Sequence, residues 1–509
     1  GGAGPLSDPD YSQWAEGPTL TKRGEWYYYF VQTHTACSGK SSVWASKTLD
    51  GGETNWTWLG YVMGPGDPYN GTQHPSSPFQ IADGTWWAFA HSYDCTGKGS
   101  TAEQDGEWLG LGREGLLHQV TWEDTDVNGQ TIPVPHFTEG TRNLPAPQLE
   151  PSGTPFLLPV NDDFSASKLG TAWTSYGRTG VNLSVTDREG WLRIKPPTGT
   201  TVWALQKEAL RSTASLTKVE FTPTAEGEAA GISVRNGFSA DDQLLSGPTW
   251  LEGEGLLVGL FDVSLARTFV GGADMIKFSF RSRVPTPTGG SGNYTSLQDP
   301  VEVSYTAPAP QQTAVWLKLV RSNHQATGWF STDRVTWKQV GQAIDIEELD
   351  DNYGMSSAWV GNHAGLFATG KPADFDLFTY RDGFSVIPAT ATDQQSGTAI
   401  VTSGDKGGVL GQLENGDWAM YGSVDLGTGA KSARIEASSV GGAQLEIWLD
   451  PLAGGKRLGS CTVPDTGSWD KWQAIECAVT ASGSHDVYLK VVGDAGKELA
   501  RVSSLQFVQ

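Results

Sequence analysis

Glu16 stands between Trp14 and a Gly17-Pro18 turn, in the run Trp14-Ala-Glu-Gly-Pro-Thr-Leu, just ahead of the strand-like stretch Gly24-Glu-Trp-Tyr-Tyr-Tyr. A carboxylic acid at a sheet edge with aromatic neighbours can stay protonated near neutral pH, because an apolar surround penalises the anion. A protonated carboxyl can hand its proton to a departing oxygen, which is the acid half of glycoside hydrolysis. A solvated loop carboxylate would carry the same three letters, so Glu16 needs its context. Two other polar residues stand in similar settings, His74 in Thr72-Gln-His-Pro-Ser-Ser-Pro and Arg113 in Leu111-Gly-Arg-Glu-Gly-Leu-Leu-His. His74 could be a turn histidine or a ligand, and Arg113 could pair with Glu114 or another surface carboxylate. Near the C terminus, Trp418 or Tyr421 together with Trp469 offer aromatic faces of the kind that lie against the C–H side of a pyranose. Trp472 fits a core position better. His34, His91 and the pair Trp86-Trp87 could line a sugar subsite, but buried packing is the commoner use of such residues, and they are left out of the site.

The elements that must position these residues are short strands. Residues 11–135 alternate apolar and polar positions between Gly, Pro, Asn and Asp turns, as in Glu25-Trp-Tyr-Tyr-Tyr-Phe-Val-Gln and Gly84-Thr-Trp-Trp-Ala-Phe-Ala-His, which is the signature of hairpins. A Pro-studded stretch over 143–159 marks a boundary, and a new series of strands runs from Asp162-Asp-Phe to Phe375-Asp-Leu-Phe-Thr-Tyr. Within it, residues 284–296 are rich in Pro, Gly and Thr and read as a long surface loop. A second boundary falls near Asp382, and residues 384–509 have the length and strand spacing of a compact β-sandwich. The fold class expected is all-β, a partial five-bladed β-propeller followed by two β-sandwich (jelly-roll) domains, with limits 1–145, 160–382 and 384–509. Standing alone, the hairpins of the first segment would leave sheet faces and edges uncovered, so something must close them.

Composition narrows the function classes. Lys plus Arg total 35 against 57 Asp plus Glu, a net charge of −22, which speaks against nucleic acid or an anionic membrane surface as partner. A neutral ligand fits better. No apolar run is long enough to span a membrane, and Gly1-Gly2-Ala3-Gly4 lacks the basic and apolar regions of a signal peptide, so the chain is expected to begin processed or truncated. Cysteines at 37, 95, 461 and 477 suggest disulfides between Cys37 and Cys95 and between Cys461 and Cys477, the second couple flanking a Pro-Asp-Thr-Gly turn. Asn55, Asn70, Asn182 and Asn293 open four glycosylation sequons, consistent with a secreted, extracellular protein.

Taken in order, three segments resemble glycoside hydrolase family 43: Ala15-Glu-Gly-Pro with the Gly-Glu-Trp-Tyr-Tyr strand, Thr72-Gln-His-Pro with Asp83-Gly-Thr-Trp-Trp, and the Arg113 strand. The resemblance implies Glu16 as general acid, His74 as the residue on the propeller axis that helps to hold a water-coordinated calcium or sodium ion, and Arg113 as a residue facing the substrate. No cofactor is implied for the chemistry itself. Residues 161–380 resemble the β-sandwich of the family's xylosidase and arabinofuranosidase branches, through Asp162-Asp-Phe-Ser, Gly190-Trp-Leu-Arg-Ile and Trp329-Phe-Ser-Thr-Asp-Arg-Val-Thr-Trp. Residues 384–509 resemble a family 6 carbohydrate-binding module through Glu414-Asn-Gly-Asp-Trp-Ala-Met-Tyr, Gly441-Gly-Ala-Gln-Leu-Glu-Ile-Trp and Thr466-Gly-Ser-Trp-Asp-Lys-Trp. There the sequence departs from the pattern twice. Ile387-Pro-Ala-Thr replaces the usual acidic calcium ligands, and Arg501 stands nearest to where an asparagine commonly meets the sugar.

The function these resemblances imply is an inverting exo-glycosidase that releases terminal arabinofuranosyl or xylosyl units from a cell-wall polysaccharide or oligosaccharide. The alternatives are a galactosyl or galactofuranosyl specificity, or a non-catalytic carbohydrate-binding protein. In the family the base and a pKa-modulating aspartate come from the first two blades, ahead of the Glu-Gly-Pro segment. Asp8 and Asp10 lie too near Glu16 to be those residues, so the missing propeller half is expected on a second polypeptide, and this chain is expected to be one piece of a nicked enzyme.

Overall fold

The computed structural model describes residues 16–34, 40–50, 52–63, 74–92, 114–138, 160–175, 182–208, 210–236, 260–283, 285–288, 293–297, 301–322, 324–350 and 361–509. Strands account for nearly all of the regular structure, as the short alternating runs imply. Among the described residues no helix is long and apolar enough to cross a membrane. The chain divides into two compact units, Gly1–Glu150 with Asp350–Gly361, and Pro151–Leu349 with Asn362–Gln509.

Among the described residues, the first unit holds two four-stranded antiparallel sheets, each a simple meander. One is β1 (Glu16–Arg23), β2 (Trp26–His34), β3 (Lys40–Ser46) and β4 (Thr57–Met63). The other is β5 (Phe79–Gln80), β6 (Trp86–Ser92), β7 (Glu114–Val127) and β8 (Gln130–Phe137). Trp26, Tyr28, Phe30, Val43 and Ala45 of the first sheet share one buried cluster with Ile132 of the second. Tyr28 shows how closely the sheets meet. Its ring lies edge-on to Trp122 at 4.8 Å, and its hydroxyl donates to the Pro133 carbonyl at 2.7 Å, while burial pushes its pKa up to about 12. Consecutive meanders packed face to face through aromatic residues are how propeller blades cover one another.

The second unit contains two cores. The first lies between a six-stranded sheet, ordered Thr201–Lys207, His363–Thr369, Ala229–Asn236, Leu260–Val270, Ala273–Arg283 and Val301–Pro308, and an opposing sheet centred on Thr213–Glu220 and Ala314–Ser322. Alternation decides which side chains go inside. In Leu260–Val270, Phe261, Val263 and Leu265 are fully buried in the core, while Asp262, Ser264 and Ala266 point to the opposite face. The second core lies between the sheet of Trp418–Asp425, Ser484–Val492, Ala443–Leu449 and Lys456–Val463 and the sheet of Gly407–Leu413, Ala500–Val508, Ala430–Ser438 and Gln473–Ala481.

One backbone link makes these two sandwiches continuous. The two-residue strand Arg381–Asp382 pairs in parallel with Ala214 on one side and with Val424 and Asp425 on the other, so that one fourteen-stranded sheet runs from the first sandwich into the second. Within the stretch 284–296 read from sequence as a surface loop, the described residues pair as a two-stranded ribbon, Pro285–Thr288 against Asn293–Leu297. The β-branched Thr286, Thr288 and Thr295 favour that extended state over the Gly and Pro signals around them.

Cys461 and Cys477 are joined, linking strands of the two opposed sheets of the second sandwich across 16 residues of sequence. Cys37 and Cys95 lie outside the described residues. Closing a loop of that length stabilises by roughly 3 kcal/mol. The Cys461→Ala/Cys477→Ala double variant is therefore expected to lose about 2–4 kcal/mol in chemical unfolding followed by tryptophan fluorescence. An unchanged midpoint would show that the crosslink restrains nothing in the unfolded chain.

Candidate functional site

Glu16 is the first residue of β1 and pairs in register with Gln32 of β2. The register then slips, Thr19 pairing with Phe30, so that Gly17 and Pro18 are accommodated as an irregularity directly after Glu16. Such a bulge bends the strand and re-aims the residue beside it. Gly17 has φ +56°, and a Cβ on it would stand 2.3 Å from His74 Nδ1. Only glycine allows the Glu-Gly-Pro turn to lie against that imidazole.

His74 is thereby brought to the Glu16 edge, although 58 residues of sequence separate the two. Gln32, fully buried, accepts from the His74 backbone N–H at 3.2 Å and from the Ser41 hydroxyl at 2.7 Å. Thr19 donates to the Pro75 carbonyl at 3.2 Å and Thr21 to the Pro78 carbonyl at 3.4 Å. The second sheet holds the same segment from the other side, since Ser76 N–H donates to the Phe89 carbonyl at 2.6 Å. His74 adopts φ +52°, uncommon for a residue with a Cβ, and its ring lies 4.7 Å from that of His91. The surrounding hydrogen bonds hold it there.

Gly17→Ala is expected to displace His74 and to cost about 1–2 kcal/mol for the left-handed backbone alone. Thermal unfolding, with hydrogen exchange across residues 74–80, would measure both. Unaltered exchange over 74–80 would separate the turn from the histidine.

Arg113 lies outside the described residues, and so does the Glu16 side chain. For the ion that the family resemblance places near His74, no group of three or more His, Cys, Asp or Glu side chains stands together among the described residues.

In the second sandwich of the second unit, one candidate is corrected. Tyr421 is fully buried and its hydroxyl donates to the Ala389 carbonyl at 2.9 Å, with burial driving its pKa well upward. It is a core residue with a satisfied polar tip and presents no face to a sugar. Trp418 is half-buried, and its ring meets Tyr488 at 5.4 Å. Trp469 lies in the loop between Lys456–Val463 and Gln473–Ala481, with the Arg501 guanidinium 4.9 Å over its ring. Arg501 is itself fixed by Glu498 at 2.8 Å, so a sugar on that face would have to displace a held cation. Trp472 is half-buried and lies outside the buried cluster.

Sequence reasoning missed the partners of Trp418. Trp448 stands opposite Tyr488 in register, and Lys490 pairs with both Trp418 and Glu446, so these side chains share the outer face of one sheet. The Trp448 indole donates to Glu446 at 3.0 Å, and Arg457 donates to the same carboxylate at 2.6 Å. Burial would raise the pKa of Glu446, but those two donors outweigh it and hold the carboxyl below the usual glutamate range. The signal was present in Ala443–Leu449, where every second residue is buried and Gln444, Glu446 and Trp448 face outward.

Comparison with known proteins bears on both units. Residues 161–241 and 292–381 match the model of a β-xylosidase C-terminal concanavalin A-like domain, and residues 388–509 that of a carbohydrate-binding module of family 6. The chain is 37% identical over 99 residues to an arabinoxylan arabinofuranohydrolase of Bacillus subtilis, covering 19% of this chain and 19% of that protein. It is 28% identical over 250 residues to a non-reducing end α-L-arabinofuranosidase of Bacteroides ovatus, covering 45% and 42%. Among solved structures, a xylan β-1,4-xylosidase from Bacillus halodurans matches with TM-score 0.51 at 20% identity, over 72% of this chain and 65% of that one. A family 43 protein of the Bacteroides ovatus xyloglucan locus matches with TM-score 0.51 at 22%, over 72% and 66%. The chain thus spans less than half the length of these curated relatives and about two thirds of each solved chain.

Proposed function

We propose, for a chain that belongs to glycoside hydrolase family 43 and carries a family 6 carbohydrate-binding module over residues 388–509, that it serves an inverting exo-glycosidase acting on cell-wall polysaccharide. The units released are terminal arabinofuranosyl or xylosyl residues, in keeping with the arabinofuranosidase and xylosidase named among its relatives. Glu16 is the general acid that protonates the leaving glycosidic oxygen. The observation that carries this reading is the meeting of two distant motifs, Glu16-Gly17-Pro18 and His74, at one edge of two packed four-stranded sheets.

Inversion needs a second carboxylate, roughly 6.5–9.5 Å from the acid, to activate the attacking water. The first unit supplies two blade-like sheets among its described residues. We assign the base aspartate to further blades outside these 509 residues, on the same precursor or on a second polypeptide that completes the ring. A calcium or sodium ion on the axis would serve the propeller's assembly, with His74 reaching it through water. Secretion and glycosylation at Asn55, exposed in the structure, complete the proposal.

Release of arabinose, xylose or galactose from aryl α-L-arabinofuranoside, β-D-xyloside and β-D-galactofuranoside tests the reading, using the protein isolated from its source with any associated polypeptide. A pentose is expected. Release of galactose alone would move the specificity to galactofuranosyl linkages, and hydrolysis of none would overturn the enzyme.

That last outcome would favour a carbohydrate-binding protein, and one observation supports binding in its own right. Trp418, Tyr488 and Trp448, with Glu446 ionised among them, form a surface that can take pyranose rings while a carboxylate accepts from hydroxyls. Trp448→Ala is expected to weaken retention on insoluble arabinoxylan by about tenfold, as loss of a stacking residue at a binding surface does. Unchanged retention in affinity electrophoresis would remove that face from the sugar site.

A further inference from the structure

The outward face of the six-stranded sheet is built of rows that no function described above uses. Register places Trp203, Phe367, Gly231, Ala266 and Lys277 in one row across five strands. The next row reads Leu205, Gly365, Ser233, Ser264 and Ser279, and the one beyond it contains Arg235, Asp262, Arg281 and Glu302. Small residues therefore occupy the middle of the face, with aromatic rings at one end and charged groups at the other. Added Cβ atoms at Gly231 and Gly365 would stand 2.1 Å from the Leu265 and Ala204 carbonyl oxygens. Backbone of the adjacent strands lies too close at these two positions for any side chain larger than hydrogen.

The result is a trough of about 280 Å³ whose lining includes Trp203, Phe367, Asp262, Ser264, Lys277 and Arg281. Its chemistry is specific. Asp262 is 3% exposed, and while its Oδ2 accepts from the Ser233 hydroxyl at 2.6 Å, its Oδ1 has no hydrogen-bond donor. The Arg281 guanidinium stands 3.6 Å from Oδ1, beyond hydrogen-bonding distance. A buried carboxylate oxygen left in that state carries a desolvation cost unless a donor reaches it. Lys277 pairs with Glu302, Arg281 faces Asp262, and the Arg235 guanidinium beside Asp262 in register lies 4.1 Å over the Trp203 ring.

We propose that this trough binds a neutral sugar residue, as a carbohydrate subsite on the six-stranded sheet of the first sandwich. A sugar hydroxyl donates to Asp262 Oδ1, the serine and threonine hydroxyls read its neighbours, and the Trp203 and Phe367 edges cover its apolar side. An anion is disfavoured because a carboxylate faces the same space. The choice of a pentose as the sugar rests on the proposed function; the subsite itself does not require turnover.

Hydrogen exchange of the full-length chain with xylotriose, arabinotriose or inorganic phosphate tests it. One of the trisaccharides is expected to protect residues 260–283, and phosphate is not. Ser264→Tyr, which fills the trough, should weaken that protection about tenfold while protection across 418–425 and 484–492 persists. Asp262→Asn preserves the packing and should weaken it as well, keeping the test open if the tyrosine variant does not fold. Absence of protection at 260–283 with both sugars, stronger protection by phosphate, or protection unaffected by both variants would overturn the subsite. Failure of the glycosidase assay would leave this footprint unchanged.

Discussion

Glu16→Gln, placed in protein assembled with its complete propeller, is expected to slow pentose release from arabinoxylan by about 10²–10⁴-fold, the range that a positioned general acid contributes. The loss should depend on the leaving group. A sugar alkoxide is a poor leaving group and needs the proton, whereas an activated phenolate departs with little help, so aryl pentosides should be cleaved at rates much nearer to the original. The acid acts in its protonated form, and kcat/KM of the original protein falls as pH rises through its pKa. In the glutamine variant that alkaline limb disappears while the acidic limb, which belongs to the base, remains. Equal losses on natural and aryl substrates, or an alkaline limb that survives, would take Glu16 out of the proton transfer.

The second large effect is structural. Arg381 is 3% exposed at the strand that carries one sandwich into the next. Its Nη1 donates to Asp393 at 2.8 Å and to the Gly422 carbonyl at 2.6 Å, and its Nη2 donates to the Ala391 carbonyl at 3.2 Å. Arg381→Ala leaves a carboxylate and two carbonyls without that cation in a water-poor junction, and breaking a buried pair from one side costs about 3–5 kcal/mol. The original protein should unfold the two sandwiches in one calorimetric transition and the variant in two, the core around Tyr421 and Leu445 separating from that around Phe278 and Phe375. A loss below about 1 kcal/mol with one transition retained would show that the two sandwiches are joined by something other than this residue.

Period-two patterning made the strands legible, because a half-buried strand must alternate. It passed over the short ribbon of Pro285–Thr288 and Asn293–Leu297, where Gly and Pro outweighed the threonines between them. The contact of Gly17 with His74 was legible only as two motifs in order; that one glycine lies against one imidazole depends on pairing between sheets that periodicity does not encode. Tyr421 illustrates the opposite error. It lies three residues after Trp418 on one strand, and alternation alone places it on the opposite face, in the core, yet the aromatic motif drew both together. Trp448 and Tyr488 were overlooked because 40 residues of sequence separate them and only register brings them level. Arg501 over Trp469 is likewise a product of tertiary packing, as is the trough on the six-stranded sheet, whose serines and glycines read individually as filler.

Proton NMR of the first-formed sugar tests most directly whether the Glu16 edge belongs to an inverting glycosidase. With the protein and its complete propeller acting on an α-L-arabinofuranoside or β-D-xyloside, the anomer released before mutarotation should have the configuration opposite to that of the cleaved linkage. A first-formed anomer that retains the configuration of the linkage would contradict it, because retention requires a carboxylate nucleophile about 5–5.5 Å from the acid in place of a base and its water.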